Sequence, residues 1–211
     1  MRAPRLRAPR PRSPDPTVSA WLVVGLGNPG PAYSGHRHNV GYLVAEVLAA
    51  RIGARFSAPR GMRAEVAEGR LGPLGPDSVK LAIMKSRSYM NETGGPVSKV
   101  QSWFGVPTDH LIAIHDELDI DPGKIRVKFG GGDNGHNGLK SIRRSLGTGD
   151  YFRVRVGVGR PPGRQDPADF LLSNFSAAER ADLGVEVERA ADAVESLVTL
   201  GLERTQSAFN S

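Results

Sequence analysis

Apolar and polar positions recur along this chain at two different periods, and the switches between them mark out strands and helices. Residues 21–24 (WLVV) form an apolar run too short for a helix and followed by glycine, which predicts a buried strand. Val40, Leu43, Val44, Val47, Leu48 and Ile52 then recur at helical spacing, predicting an amphipathic helix over about 39–51 that stops near Gly53. Residues 62–70 and 79–85 read as strands, separated by the turn-rich GPLGP of 72–76. Pro96 suits the first turn of a helix running to Phe104, ahead of Gly105 and Pro107. A short apolar strand at 111–114 leads into HDELD at 115–119.

Two later strands, 124–129 (KIRVKF) and 153–156 (RVRV), alternate basic and apolar residues. Period two makes each a half-buried strand with a row of positive charge outside. Between them lie the glycine-rich 130–138 and a helix carrying Lys140, Arg143 and Arg144 on neighbouring positions. Near the carboxy end Asp166 before Pro167 starts one helix, and Ser176 with Glu179 forms a capping box for another that runs to about Leu200. Strands and helices interleave throughout, which predicts an α/β fold.

Composition narrows the field. The 211 residues fit one domain with a real core, and no apolar stretch approaches the ~18 residues of a membrane-spanning helix. There is no cysteine, which excludes disulfides, thiolate catalysis and cysteine-bound zinc. Of the net charge of +6, the first twenty residues carry +4, through Arg2, Arg5, Arg7, Arg10 and Arg12 against Asp15. That proline- and arginine-rich stretch, taken as 1–18, is expected to be a disordered extension without the apolar core of a secretory signal. The remaining body is nearly balanced, so an RNA or DNA partner has to be argued from local patterning.

The candidate chemistry begins in 21–39. Gly25-x-Gly27-x-x-Gly30 matches a dinucleotide fingerprint, but Pro29 and Pro31 flank the last glycine and the periodic helix starts only near Asn39. The acid expected about 20 positions on is absent too, since that distance falls at Ala50. His36, His38, His115, Asp116 and His136 are also compatible with a metallohydrolase centre. A metal-free reading pairs His38, beside a helix start whose field disfavours imidazolium, with Asp116 at a strand end, as base and orienting carboxylate. Spacing alone leaves the last two readings open.

GLGNPGPAY, RHNVG, YMNETG, HDELD, GGGDNGHNGLKSI and RVRVGVGRP follow one another in this order. Together they closely resemble the bacterial peptidyl-tRNA hydrolase family, across essentially all of 21–205. The resemblance implies cleavage of the ester between a peptide and the 3′ ribose of tRNA, recycling tRNA from stalled ribosomes, with no metal or cofactor, in a cytoplasmic monomer needing no obligate protein partner. It also implies roles residue by residue. His38 would be the general base and Asp116 the group that orients and stabilises it. Asn28 would distinguish a blocked peptidyl amide from a free amine. Asn91 and Asn137 would hold the substrate carbonyl and 3′ end, with Tyr33 and Tyr89 stacking on terminal nucleotides. Asparagine amides suit such work, because they donate to carbonyls without adding charge beside the base.

The expected whole is one three-layer α/β/α sandwich with a twisted mixed sheet, residues 19–211 forming the catalytic domain. Lys124, Arg126, Lys128, Lys140, Arg143, Arg144, Arg153 and Arg155 are candidates for a phosphate-binding surface facing the acceptor stem. Two places depart from the resemblance: Gly35-His36 stands where a small hydroxyl residue is more usual, and Asp133-Asn134 interrupts a loop usually richer in glycine. His36 and His115 are expected to be surface or packing residues.

Overall fold

The computed structural model describes residues 20–210 apart from 74, 76 and 77. The expected extension at 1–18 lies outside the described residues. Among the described residues, β1 (Ala20–Gly25), β2 (Ala64–Leu71), β3 (Val79–Ser86), β4 (Leu111–Glu117), β5 (Ile125–Phe129) and β6 (Phe152–Gly157) form one sheet in the order β2-β3-β1-β4-β6-β5. The inner pairs β1–β3, β1–β4 and β4–β6 are parallel, and β2 and β5 close the two edges antiparallel. β1 and β4 are buried from end to end, which explains their unbroken apolar runs.

Successive side chains of β1 feed opposite cores. Trp21 and Val23 join Val40, Val44 and Leu48 of α1 (Val40–Arg51) and Val187, Ala190, Val194 and Leu197 of α5 (Ala177–Leu200). Leu22 and Val24 join Val97 and Val100 of α2 (Gly94–Phe104) and Leu139 and Ile142 of α3 (Asn137–Leu146). The expected α/β/α sandwich with a mixed sheet is therefore the observed fold. Each fully buried Val or Leu adds about 1.5–3 kcal/mol, so the two layers of helices fix the sheet firmly from both sides.

Two glycines set how closely α1 meets the sheet. A Cβ on Gly25 would overlap Gly41 O, and one on Gly41 would lie 2.6 Å from Leu26 O and nearer still to Ile114 O. With neither Cβ present, the start of α1 rests directly on the carboxy-terminal ends of β1 and β4. In parallel sheets that edge is where sites gather.

The structure departs from the sequence reading in three places. A 3₁₀ turn, Arg37–Asn39, precedes α1, which itself begins at Val40. The helix begun by Asp166 is a single short turn, α4 (Pro167–Leu171). An additional helix, α6 (Leu202–Phe209), follows Gly201 and covers the open edge of β5: Asn210 accepts from Val127 N–H at 2.6 Å and donates to Val127 O at 2.9 Å. Unpaired strand edges invite further strands, and this one is closed by a side-chain amide.

Candidate active site

The turn after β1 is stitched into place by its own backbone and by two asparagines. Leu26 N–H donates to Ile114 O at 3.0 Å, extending the parallel register past the strand. Asn39 Oδ1 accepts from Asn28 N–H at 3.0 Å, and Asn39 Nδ2 donates to Asn28 O at 2.9 Å. Asn39 thus braces the turn and does not cap α1. Asn28 Oδ1 is taken by Met90 N–H at 2.8 Å, which leaves the Asn28 NH₂ as the group it presents.

His38 follows Arg37, a buried cation held by Glu179 at 2.6 Å, by Ser173 Oγ at 2.7 Å and by Asn174 O at 2.8 Å. The Arg37 guanidinium also lies 4.1 Å over the Phe170 ring. These contacts fix the 3₁₀ turn that aims His38 at β4. His38 Nδ1 stands 2.8 Å from Asp116 Oδ1, and His136 Nε2 stands 3.1 Å from the same oxygen.

The proton positions follow from the partners. His136 Nδ1 accepts the Gly138 and Leu139 amides at 3.1 and 3.4 Å, capping α3, so its proton is on Nε2 and points at Asp116. A carboxylate only accepts, so His38 Nδ1 also donates to it, and the His38 Nε2 lone pair has no partner among the described residues. Burial would raise the Asp116 carboxyl, but the charges of His38 and His136 and their hydrogen bonds outweigh it and hold it well below the usual carboxylate range. At His38 burial disfavours the cation, yet the Asp116 charge and hydrogen bond prevail and raise its pKa above the ordinary 6.5. The helix-start field expected to keep His38 neutral is therefore overruled. Asp116 is closer and carries a full charge.

The seven sequence candidates, Asn28, Tyr33, His38, Tyr89, Asn91, Asp116 and Asn137, all line one cleft of about 630 Å³. Tyr33 and Tyr89 meet edge to face at 6.2 Å on its rim, with Tyr89 56% exposed. Pro167, Ala168, Leu171 and Leu172 around α4 form an apolar wall, and Met90 also lines the cleft.

After Gly30 the chain enters short 3₁₀ turns and α1 starts only at Val40, so the glycine turn opens no helix onto a pyrophosphate. Of the metal-ligand candidates, His38, Asp116 and His136 bring donor atoms within 4.8 Å of one another. His36 instead packs against Tyr33 at 5.3 Å, and His115 sits 2.6 Å from the Asp116 carbonyl through Nδ1. The imidazoles of His38 and His136 both aim at one carboxylate oxygen at hydrogen-bond distance, the spacing of shared protons.

A family model described as peptidyl-tRNA hydrolase matches residues 22–211. The chain belongs to the peptidyl-tRNA hydrolase family. It is 59% identical over 191 residues to the peptidyl-tRNA hydrolase of Streptomyces coelicolor, covering 90% of this chain and 95% of that one. It is 56% identical over 197 residues to that of Cutibacterium acnes, covering 91% and 98%. The crystal structure of peptidyl-tRNA hydrolase from Acinetobacter baumannii superposes with a TM-score of 0.79 at 28% identity, over 91% of this chain and 93% of that one.

Within this member of the family, the row of outward charge on β5 and β6 needs correction. Arg153 is fully buried, its guanidinium bound to Gly131 O at 2.8 Å and to Gly132 O, and stacked on Tyr151. Arg155 is held by Glu117 at 2.9 Å. β6 is an inner strand covered on both faces, so period two does not expose alternate residues there. On the edge strand β5, Arg126 is exposed and Lys128 half-buried, and Lys140 and Arg144 are exposed on α3. Arg143 reaches back to Gly131 O at 2.6 Å.

Three residues in or behind the cleft escaped the roles read from sequence: His136 as a second donor to Asp116, Asn134 on the cleft rim, and the buried Asn39 as brace of the Asn28 turn. His136 had a signal, a histidine just before an amphipathic helix, which is a capping position. Asn39 had none, since its partner is backbone.

Proposed function

We propose that this protein hydrolyses the ester between the peptide and the 3′ ribose of peptidyl-tRNA, freeing tRNA from peptides dropped by stalled ribosomes. The observation that carries the reaction is His38, with Nδ1 on Asp116 and Nε2 free in the cleft. Nε2 takes a proton from water as the water oxygen bonds to the ester carbonyl carbon, and Asp116 stabilises the imidazolium formed. Collapse of the intermediate breaks the bond to the ribose oxygen, which leaves with the proton returned by His38. The products are the free 3′ hydroxyl and the peptide acid, which gives up its remaining proton to solvent to become the carboxylate.

The other candidates fit around that step. The Asn28 NH₂ would meet the carbonyl side of a peptidyl amide, which a free aminoacyl amine lacks. Asn91 and Asn137 would hold the substrate carbonyl and 3′ end and offer hydrogen bonds where negative charge develops. Tyr33 and Tyr89 would receive the terminal bases. Residues 19–211 would be the catalytic domain, acting as a cytoplasmic monomer with no cofactor, and the family match from residue 22 supports that boundary. Hydrolysis of a defined peptidyl-tRNA by wild type and His38→Ala tests the reading. Turnover should be nearly lost with tRNA binding kept, and unaffected by chelator. Unchanged turnover in the variant would remove His38 as base; loss with chelator would restore the metal reading.

A further inference from the structure

Among the described residues Asn134 is the one non-glycine residue with a positive φ, 47°. Asparagine tolerates that conformation better than most, but glycine reaches it without a Cβ clash. The side chain must therefore give something glycine cannot. Asn134 Nδ2 donates to Glu117 Oε1 at 2.7 Å and to Asp119 Oδ2 at 3.1 Å, joining the glycine loop to the chain leaving β4. Both acceptors are themselves held, Glu117 by Arg155 at 2.9 Å and Asp119 by Arg160 at 2.7 Å. The bridge is thus anchored on fixed carboxylates, and hydrogen bonds to such charged acceptors are among the stronger ones.

The place of the bridge gives it a purpose. Asn134 is two residues from His136 and three from Asn137, and all three line the cleft. At the other end of the loop Arg153 and Arg143 hold Gly131 O. Between that clamp and the start of α3, the loop's side chains are those of Asp133, Asn134 and His136, and His136 is the cap that Asp116 also holds. Asp133 pairs with Arg143 at 3.4 Å and is not among the residues that line the cleft. The geometry points to Asn134 as a positioning residue: a latch that holds the loop against the end of β4 so that His136 and Asn137 stand ready before substrate arrives.

The inference rests on the proposed ester site, and its test separates the two. In Asn134→Gly the backbone is relieved and only the latch is lost, so the thermal midpoint should stay near wild type. A loop in its competent position a tenth of the time would raise KM for peptidyl-tRNA about tenfold while kcat stays within about twofold. Asn134→Asp places a third carboxylate against Glu117 and Asp119 and should raise KM further. Adding Asp119→Asn to Asn134→Asp restores a donor–acceptor pair with its ends exchanged and should recover part of that loss. A wild-type KM in Asn134→Gly, or no recovery in the double variant, would overturn the latch. If His38→Ala kept its turnover, the site reading would fall, whatever Asn134 does.

Discussion

At the scale of single residues, one carboxylate oxygen organises the site. Asp116 Oδ1 accepts one hydrogen bond from His38 and another from His136, and the two contacts together fix the orientation of the carboxylate. The pH dependence follows from the direction of the His38 shift. Only neutral His38 can act as a base, and its pKa is raised above 6.5 by Asp116. Activity should therefore climb with pH through a midpoint above 6.5, once uncatalysed ester hydrolysis is subtracted. In Asp116→Asn the raising influence is gone and burial, which lowers, remains. The midpoint of kcat/KM should move down, while kcat falls about 10²–10⁴-fold because the imidazole loses its orienting anion and its stabilised cation. A midpoint that stays or rises would show that Asp116 does not set the base. Stopped-time assays between pH 5 and pH 9 decide it.

At the scale of elements, the site depends on how near α1 comes to the sheet. Gly41→Ala puts a Cβ against backbone atoms of Leu26 and Ile114 that cannot rotate away. Overpacking of that kind costs about 1–3 kcal/mol, a fall in Tm of roughly 2–12 °C for a chain this size. Because His38 lies three residues ahead of Gly41, displacement of the helix should also cut turnover more than tenfold in the protein that remains folded. Gly95→Ala on α2, where a Cβ meets open space, is the matched control and should leave both unchanged. Equal behaviour of the two variants would separate the site from the contact. The elements themselves were legible because buried parallel strands write short unbroken apolar runs into the sequence and amphipathic helices write a period. Three things were not. α6 is short and polar, and its reason to exist is the edge of β5, which only the assembled sheet reveals. Arg153 reads as a surface residue until the loop carbonyls it binds are folded over it. The Asn28–Asn39 brace joins side chain to backbone across eleven positions, and no residue pattern encodes it. The candidate site residues, by contrast, lie in the ordered short blocks that carry the family resemblance, and so could be proposed before their contacts were seen; the cleft brings those seven together.

At the scale of the whole molecule, charge has to do what the cleft cannot, since the acceptor stem of a tRNA is far larger than a 630 Å³ cavity. The net +6 is no guide, because +4 of it belongs to the first twenty residues. The local field is more telling. Burial, then the charges of Arg155 and Arg153, push the Lys128 ammonium below its ordinary value against the opposing pull of Glu117 and Asp133, and an incoming phosphate would add to that pull. Arg126 shares that face of β5 and is exposed. Of the eight basic candidates, these two share one face of an edge strand, and Lys128 lies against the glycine loop at Gly131. Arg126→Glu with Lys128→Glu should leave the thermal midpoint in place, since neither side chain fills a core. It should weaken tRNA binding and flatten the dependence of log K on log salt by about 1.4–1.8, the release of counterions from two phosphates at roughly 0.7–0.9 each. His38→Ala should show the opposite profile, a wild-type salt slope without turnover. Affinity and slope both unchanged in the double variant would move the RNA surface away from β5, toward Lys140 and Arg144 on α3.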